Sequence, residues 1–267
     1  MSLRSTFRAV PTLMRVGFAE AVAYRAEMFV WILSTTMPLI MMALWTAVAA
    51  YAPVGRFHQR DFVVYFLVTF IVRQLTGAWA AWEINFEVRQ GTLSLRLLRP
   101  LHPLWHYAVN NVAAMPLRLV IAIPVALLLL LVMGREGLST NPVLWLFFPL
   151  AVFNAWLITY LINVLIGTLS LFMESSLKLL NVWFQLFMLL SGYFIPVELF
   201  PRWLQVLGDW LPFRYQLAFP VELATRTYDV AGALGMLGKQ VAFVAVLWAF
   251  AAVAWRSGLK RYAAYGG

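Results

Sequence analysis

At 267 residues, 63% of them hydrophobic and 12% charged, the chain is far more apolar than a soluble domain, which holds about 45–50% apolar and about 25% charged residues. The bilayer is therefore its expected solvent. The net charge of +9 is scattered among apolar stretches rather than gathered on one face, which argues against nucleic acid as a partner and for charge as a determinant of topology. With no cysteine in the chain, disulfides, thiolate metal sites and cysteine nucleophiles are excluded.

Residues 1–25 do not read as a signal peptide, because Arg15 and Glu20 interrupt any apolar core. Leu3, Phe7, Val10, Met14 and Phe18 recur at helical spacing, with Arg4, Arg8 and Arg15 off that stripe. The pattern predicts an amphipathic helix lying in the membrane interface, bent at Pro11, with lipid as its partner. A disordered basic leader is the alternative.

A hydrocarbon core of about 30 Å takes roughly 20 helical residues to cross. Stretches at 28–50, 62–90, 104–133, 142–173, 176–195 and 234–257 meet that length. They predict an all-α polytopic membrane protein with six transmembrane helices in a single domain over 1–267. The second stretch is longer than a crossing requires: 29 residues over 62–90 extend about 43 Å, so about two turns should protrude from the membrane. Gly91 offers a left-handed stop. Thr92 then caps a short helix within 91–100, with Leu93, Leu97 and Leu98 on one side and Arg96 and Arg99 on another. That segment is either a docking element or an ordinary loop whose arginines follow the positive-inside rule.

Residues 196–233 form a second anomaly. Pro196, Pro201, Pro212 and Pro220 divide the segment; Trp203, Trp210, Phe213, Tyr215 and Phe219 give it bilayer affinity. Helices over 202–207 and after Pro220 are expected, too short to span and therefore re-entrant or interfacial. If both termini are cytoplasmic, inner segments hold eleven Lys/Arg against five acids, and outer segments seven against six. The positive-inside rule favours that orientation, in a bacterial-type cytoplasmic (inner) membrane.

Three stretches carry a family resemblance: Glu87-Val88-Arg89-Gln90-Gly91-Thr92-Leu93, Leu97-Leu98-Arg99-Pro100-Leu101, and Ser191-Gly192-Tyr193-Phe194-Ile195-Pro196 with Leu199-Phe200-Pro201. Together with the leader and the spans, they resemble the permease subunits of type-2 ATP-binding-cassette (ABC) exporters over nearly the whole chain. The resemblance implies a dimer with a second permease subunit, same or homologous, joined to two ABC ATPase subunits and moving a hydrophobic or amphipathic substrate outward. It implies a coupling site at Glu87, Arg89, Gly91, Leu93, Leu97, Leu98 and Arg99, an outer gate at Pro196, Phe200, Pro201 and Trp203, and a substrate cavity between the second and fifth spans.

A phosphate-binding loop needs Gly-x-x-x-x-Gly-Lys-Ser/Thr. Around Gly238-Lys239, Ala233 stands at the first-glycine position and Gln240 follows the lysine. No cofactor is therefore expected on this chain, and ATP and Mg are expected on the partner ATPase.

Arg73 lies mid-span, where an arginine costs upwards of about 2.5 kcal/mol unless it faces protein or water. It reads either as a cavity charge for an anionic group or as a structural contact with carbonyls or Gln74. Asn181 and Gln185 either line the same cavity or bond between helices, with Gln74 as a further lining residue beside Arg73 and Trp79 and Trp183 as its aromatic surface. His102 and His106 at i, i+4 lack an evident third metal ligand. Glu83 and Glu87, also i, i+4, are expected to pair with Arg89 or with a partner protein rather than to act as acid and base. A secondary transporter would show a midplane acid or internal repeats, and an intramembrane enzyme a cluster of catalytic groups. The apolar parts of these stretches, that of the third beginning near Leu117, carry no histidine, aspartate or cysteine.

Overall fold

The computed structural model describes residues 3–26, 30, 33, 35–133, 137–225 and 228–265. Most of the start of the first expected span, at 27–29, 31, 32 and 34, lies outside them. The described chain is nearly all helical. Helix α1 (Leu3–Ala23) continues through Pro11 and packs on α6 (Pro103–Ala113). Gly17 and Ala21 turn inward, while Val16 and Phe18 remain exposed.

Four helical segments are long and apolar enough to cross a membrane: Gln59–Arg89, Pro103–Leu131, Pro142–Leu171 and Val230–Tyr262. Two apolar helices are shorter, α2 (Met37–Ala49) and α9 (Ser176–Leu190). The fifth expected span thus ends at Leu190 rather than at 195. Gly192 adopts φ +86°, a left-handed conformation that stops a helix and suits glycine. Tyr65 Oη holds the turn by donating to Gly192 O at 2.9 Å.

The second expected span is not the continuous helix that its apolar pattern predicts. It divides into α3 (Gln59–Thr76) and α4 (Ala80–Arg89), with Gly77 extended at φ −66°, ψ 134°. A break at membrane depth needs new partners for the freed backbone groups. Here Arg118 Nη1 donates to Gln74 O at 3.1 Å and Trp79 N donates to Asn111 Oδ1 at 3.1 Å.

Short helix α5 (Leu93–Leu97) precedes α6, which meets α7 (Met115–Met133) at Ala114. Helix α8 (Pro142–Thr168) is central, packing against α3, α4, α9 and the last helix. Three of its polar side chains are bonded internally: Thr159 and Thr168 bond carbonyls one turn back, and Asn163 Oδ1 accepts from Ala81 N. Hydrocarbon offers these groups no alternative.

After α9, a 3-10 turn (Val197–Leu199) leads to α10 (Arg202–Asp209), α11 (Pro212–Gln216) and α12 (Ala218–Ala224). The helix that was expected after Pro220 begins two residues before it, with the proline tolerated in the first turn. Helix α13 (Val230–Tyr265) then runs 36 residues. Its first half meets the end that holds α10, α11 and α12, where Lys239 Nζ lies 3.4 Å from Asp209 Oδ2. Its last turns reach α5, where Tyr262 Oη donates to Gly91 O at 3.2 Å. The two short-helix regions therefore occupy opposite ends of the bundle.

Candidate functional site

Gly91 separates α4 from α5 at φ +71°, the left-handed stop that its position predicts. Thr92 does not cap the new helix; its hydroxyl points back toward Glu87 O, and Ser94 Oγ bonds Gly91 O at 2.7 Å. What holds α5 in place is Glu87. Its buried carboxylate accepts from Arg96 Nε at 2.8 Å, from Arg96 Nη2, and from Tyr107 Oη at 2.6 Å. Arg96 also lies 5.1 Å over the Tyr107 ring. One carboxylate thus clamps together α4, α5 and α6.

This arrangement corrects two expectations. Neither Glu83 nor Glu87 pairs with Arg89: Glu83 Oε1 accepts from Trp79 Nε1 at 3.2 Å, and Arg89 reaches the carbonyl of Glu174. The leucines also divide differently. At about 100° per residue, Leu93 and Leu97 share one side of the helix, and Leu95 and Leu98 the other. Leu93 is fully buried and anchors the helix, whereas Leu97, Leu95 and Leu98 are 38%, 63% and 82% exposed. Of the expected coupling residues, Glu87 and Leu93 are internal supports, while Leu97, Leu98 and Arg99 face outward with Leu95. A recess of about 150 Å³ lined by Glu87, Thr92, Leu95, Arg96 and Arg99 lies beside them. Helical spacing alone would have found Leu95. Nothing in the spacing points to Tyr107.

The six residues expected to line a substrate cavity do not converge in one protomer. Gln74 is buried and donates to Thr35 Oγ1 at 2.8 Å. Trp79 serves the helix break through its backbone N–H, and its ring lies under Arg118 at 4.5 Å. Trp183 packs on Phe213, ring centroids 4.6 Å apart. These three are structural. Arg73 lies 5.7 and 5.3 Å from the rings of Phe184 and Phe187. Asn181 and Gln185 are exposed on α9 among Val182, Phe184, Leu186 and Leu189.

At the opposite end Pro196 is buried, Phe200 half-buried, and Pro201 and Trp203 exposed. Trp203, Val206, Leu207 and Trp210 form an outward apolar face on α10, the pattern of an interfacial helix. The inner layer of this end is ionic. Arg214 bonds Asp209 at 2.6 Å, Glu222 at 3.2 Å and Tyr228 Oη at 2.9 Å. Burial alone would lower the Arg214 pKa, but Glu222, Tyr228 and Asp209 outweigh it and raise it. Arg56 ties the loop before α3 to Glu198.

His102 caps its own helix by accepting from Leu104 N at 3.3 Å, and His106 bonds Asn110 at 3.3 Å. Among the described residues no group of three His, Asp or Glu side chains is placed to hold a metal. Gly238, Lys239 and Gln240 lie inside α13, where Gln240 Nε2 donates to Ala151 O and Tyr215 O.

A search of curated proteins finds no match. A protein-family model described as ABC-2 family transporter protein matches residues 35–266, which takes in the helix break at Gly77, the clamped helix α5, the short helices α10 to α12 and helix α13. A multi-pass helical chain matched over that extent belongs to the ABC-2 transporter family, as a membrane (permease) subunit.

Proposed function

We propose that this chain is the permease subunit of an ATP-driven exporter in a bacterial-type inner membrane. It crosses the membrane six times with both termini cytoplasmic, and it moves a hydrophobic or amphipathic substrate outward. ATP and Mg are bound by separate ABC ATPase subunits, which dock on α5. The observation that carries the reading is the clamped α5, a rigid helix with Leu95, Leu97, Leu98 and Arg99 turned outward beside a recess. Exposed leucines on a fixed platform form a partner's contact rather than a core. A second permease, same or homologous, covers α9, because Asn181 and Gln185 would be costly against lipid.

The test is retention of the ABC ATPase that co-purifies with the tagged chain from its native membrane. Leu98→Asp places a carboxylate in the desolvated contact and should weaken docking about a hundredfold or more, while leaving the bundle folded. Retention equal to wild type would falsify the docking assignment.

Topology is checked independently. Ala52 is exposed at the re-entrant end and Ser257 at the α5 end, and the chain has no native cysteine. In intact cells, Ala52→Cys should react with an impermeant thiol reagent and Ser257→Cys should not. The reverse pattern would invert the orientation.

A further inference from the structure

The connection from α9 to α10, residues 191–201, is fastened by side chains to α2, to α3 and to the loop between them. Trp45 Nε1 on α2 donates to Phe194 O at 2.9 Å, and Tyr65 Oη on α3 donates to Gly192 O at 2.9 Å. Both pins lie at the start of the connection and are sheltered from water. Tyr65 is buried, and Trp45 is half-buried with its ring stacked on Phe62, centroids 5.4 Å apart.

The far end is held differently. Val54 and Phe57 exchange backbone hydrogen bonds at 3.0 Å around a tight turn in which Gly55 takes φ +60°. A Cβ at Gly55 would stand 3.0 Å from Leu199 Cδ2, so the tip of this turn lies against the 3-10 turn. There Arg56 Nη2 donates to Glu198 Oε1 at 2.8 Å, and Arg56 Nε donates to Glu198 Oε2. The two side chains are 50% and 25% exposed. Gln205 Nε2 donates to Glu198 O at 3.1 Å and to Phe200 O at 2.8 Å, so the start of α10 moves with Glu198.

These attachments differ in what it costs to undo them. Parting Trp45 or Tyr65 from its carbonyl leaves sheltered polar groups without partners. A partly exposed ion pair exchanges its partner for water at little cost. Glu198 is therefore the end that can let go while Gly192 and Phe194 stay fixed.

We propose that Arg56 and Glu198 form a latch, which opens and closes once in each transport cycle. The segment from Glu198 into α10 pivots about the pins at Gly192 and Phe194. The inference rests on the reading of the chain as an exporter's permease, whose outer gate the family resemblance places at Pro196, Phe200, Pro201 and Trp203. It adds the two residues that hold that gate shut.

Arg56→Cys together with Glu198→Cys puts two thiols at the latch of a chain that has no other cysteine. In the purified permease–ATPase complex, a propane-linked bis-methanethiosulfonate joins them and a reductant parts them. ATP hydrolysis should fall at least about tenfold on joining and return on reduction, because a gating step that cannot occur stops turnover. Methyl methanethiosulfonate, which caps each thiol without linking the two, should leave hydrolysis unchanged. Hydrogen exchange over 198–205 needs no substitution. In the wild-type complex it should be faster with ADP and vanadate, which hold the ATPase in mid-cycle, than without nucleotide.

Full hydrolysis in the linked complex would overturn the latch, since a merely structural ion pair can be locked without consequence. So would an equal loss with the capping reagent, or equal exchange with and without nucleotide. Retention of the ATPase by Leu98→Asp tests α5 alone, so the docking and the latch can fail separately. A wild-type complex that hydrolyses no ATP would overturn the exporter reading, and the latch with it.

Discussion

Glu87→Ala should release α5 from the bundle and cost about 3–5 kcal/mol of local stability, the range for removing one partner of a buried, hydrogen-bonded ion pair. The size follows from what remains. Arg96 would keep its charge with no carboxylate, and its Nη1 already has no hydrogen-bond partner. The Tyr107 hydroxyl, on a side chain with no exposure, would lose its acceptor. Both groups would carry their desolvation cost uncompensated. Leu93, which plugs the core beneath α5, would have only its own burial to hold the helix. Glu87→Gln keeps an acceptor and should fall between the two. Hydrogen exchange over 93–97 is the direct measurement, with ATPase stimulation as the functional readout. Exchange in the alanine variant as slow as in wild type would remove Glu87 from this role.

At the other end, Glu222→Ala should loosen the re-entrant helices by about 3 kcal/mol, the lower end of the same range, because Asp209 remains to pair with Arg214. Glu222 is 2% exposed on α12, and its carboxylate also accepts from Tyr228. Removing it leaves Arg214 and Tyr228 sharing one absent partner. Tyr228→Phe deletes two hydrogen bonds, one from Arg214 and one to Glu222, and should cost about 2 kcal/mol. Faster exchange over 202–224 with an unchanged exchange rate over 93–97 is the expected result, since the two clusters share no residue. If exchange quickens equally at both ends, the network supports the whole bundle rather than the re-entrant end.

These two clusters show where sequence reasoning loses its hold. Both were visible as segments: Gly91 as a stop, the leucines around it as a short helix, and the proline-rich stretch after Pro196 as non-spanning helices. Their internal wiring was not. Glu87 at i, i+4 from Glu83 and beside Arg89 suggested a local pair, yet its partners lie 9 and 20 residues away. The resemblance groups Trp203 with Pro196 in an outer gate; Trp203 faces outward on α10, while Pro196 is buried. The cavity residues fared similarly. Gln74 and Trp79, both expected to line a cavity, find partners within the chain in Thr35, Asn111 and Arg118.

What the sequence determined by itself follows from local rules. Apolar runs at membrane length and glycine at a helix stop dictate an all-helical membrane chain, because each helix satisfies its own backbone hydrogen bonds. The break at Gly77 is of another kind. The helical reading over 62–90 predicts one continuous helix, and the chain departs from it where Asn111 Oδ1, 32 residues on, accepts from Trp79 N and Arg118, 44 residues on, donates to Gln74 O. The same packing decided that Arg118 would hold the break, and that a single carboxylate would position α5. Such arrangements depend on which helices touch, and no spacing along one helix encodes that.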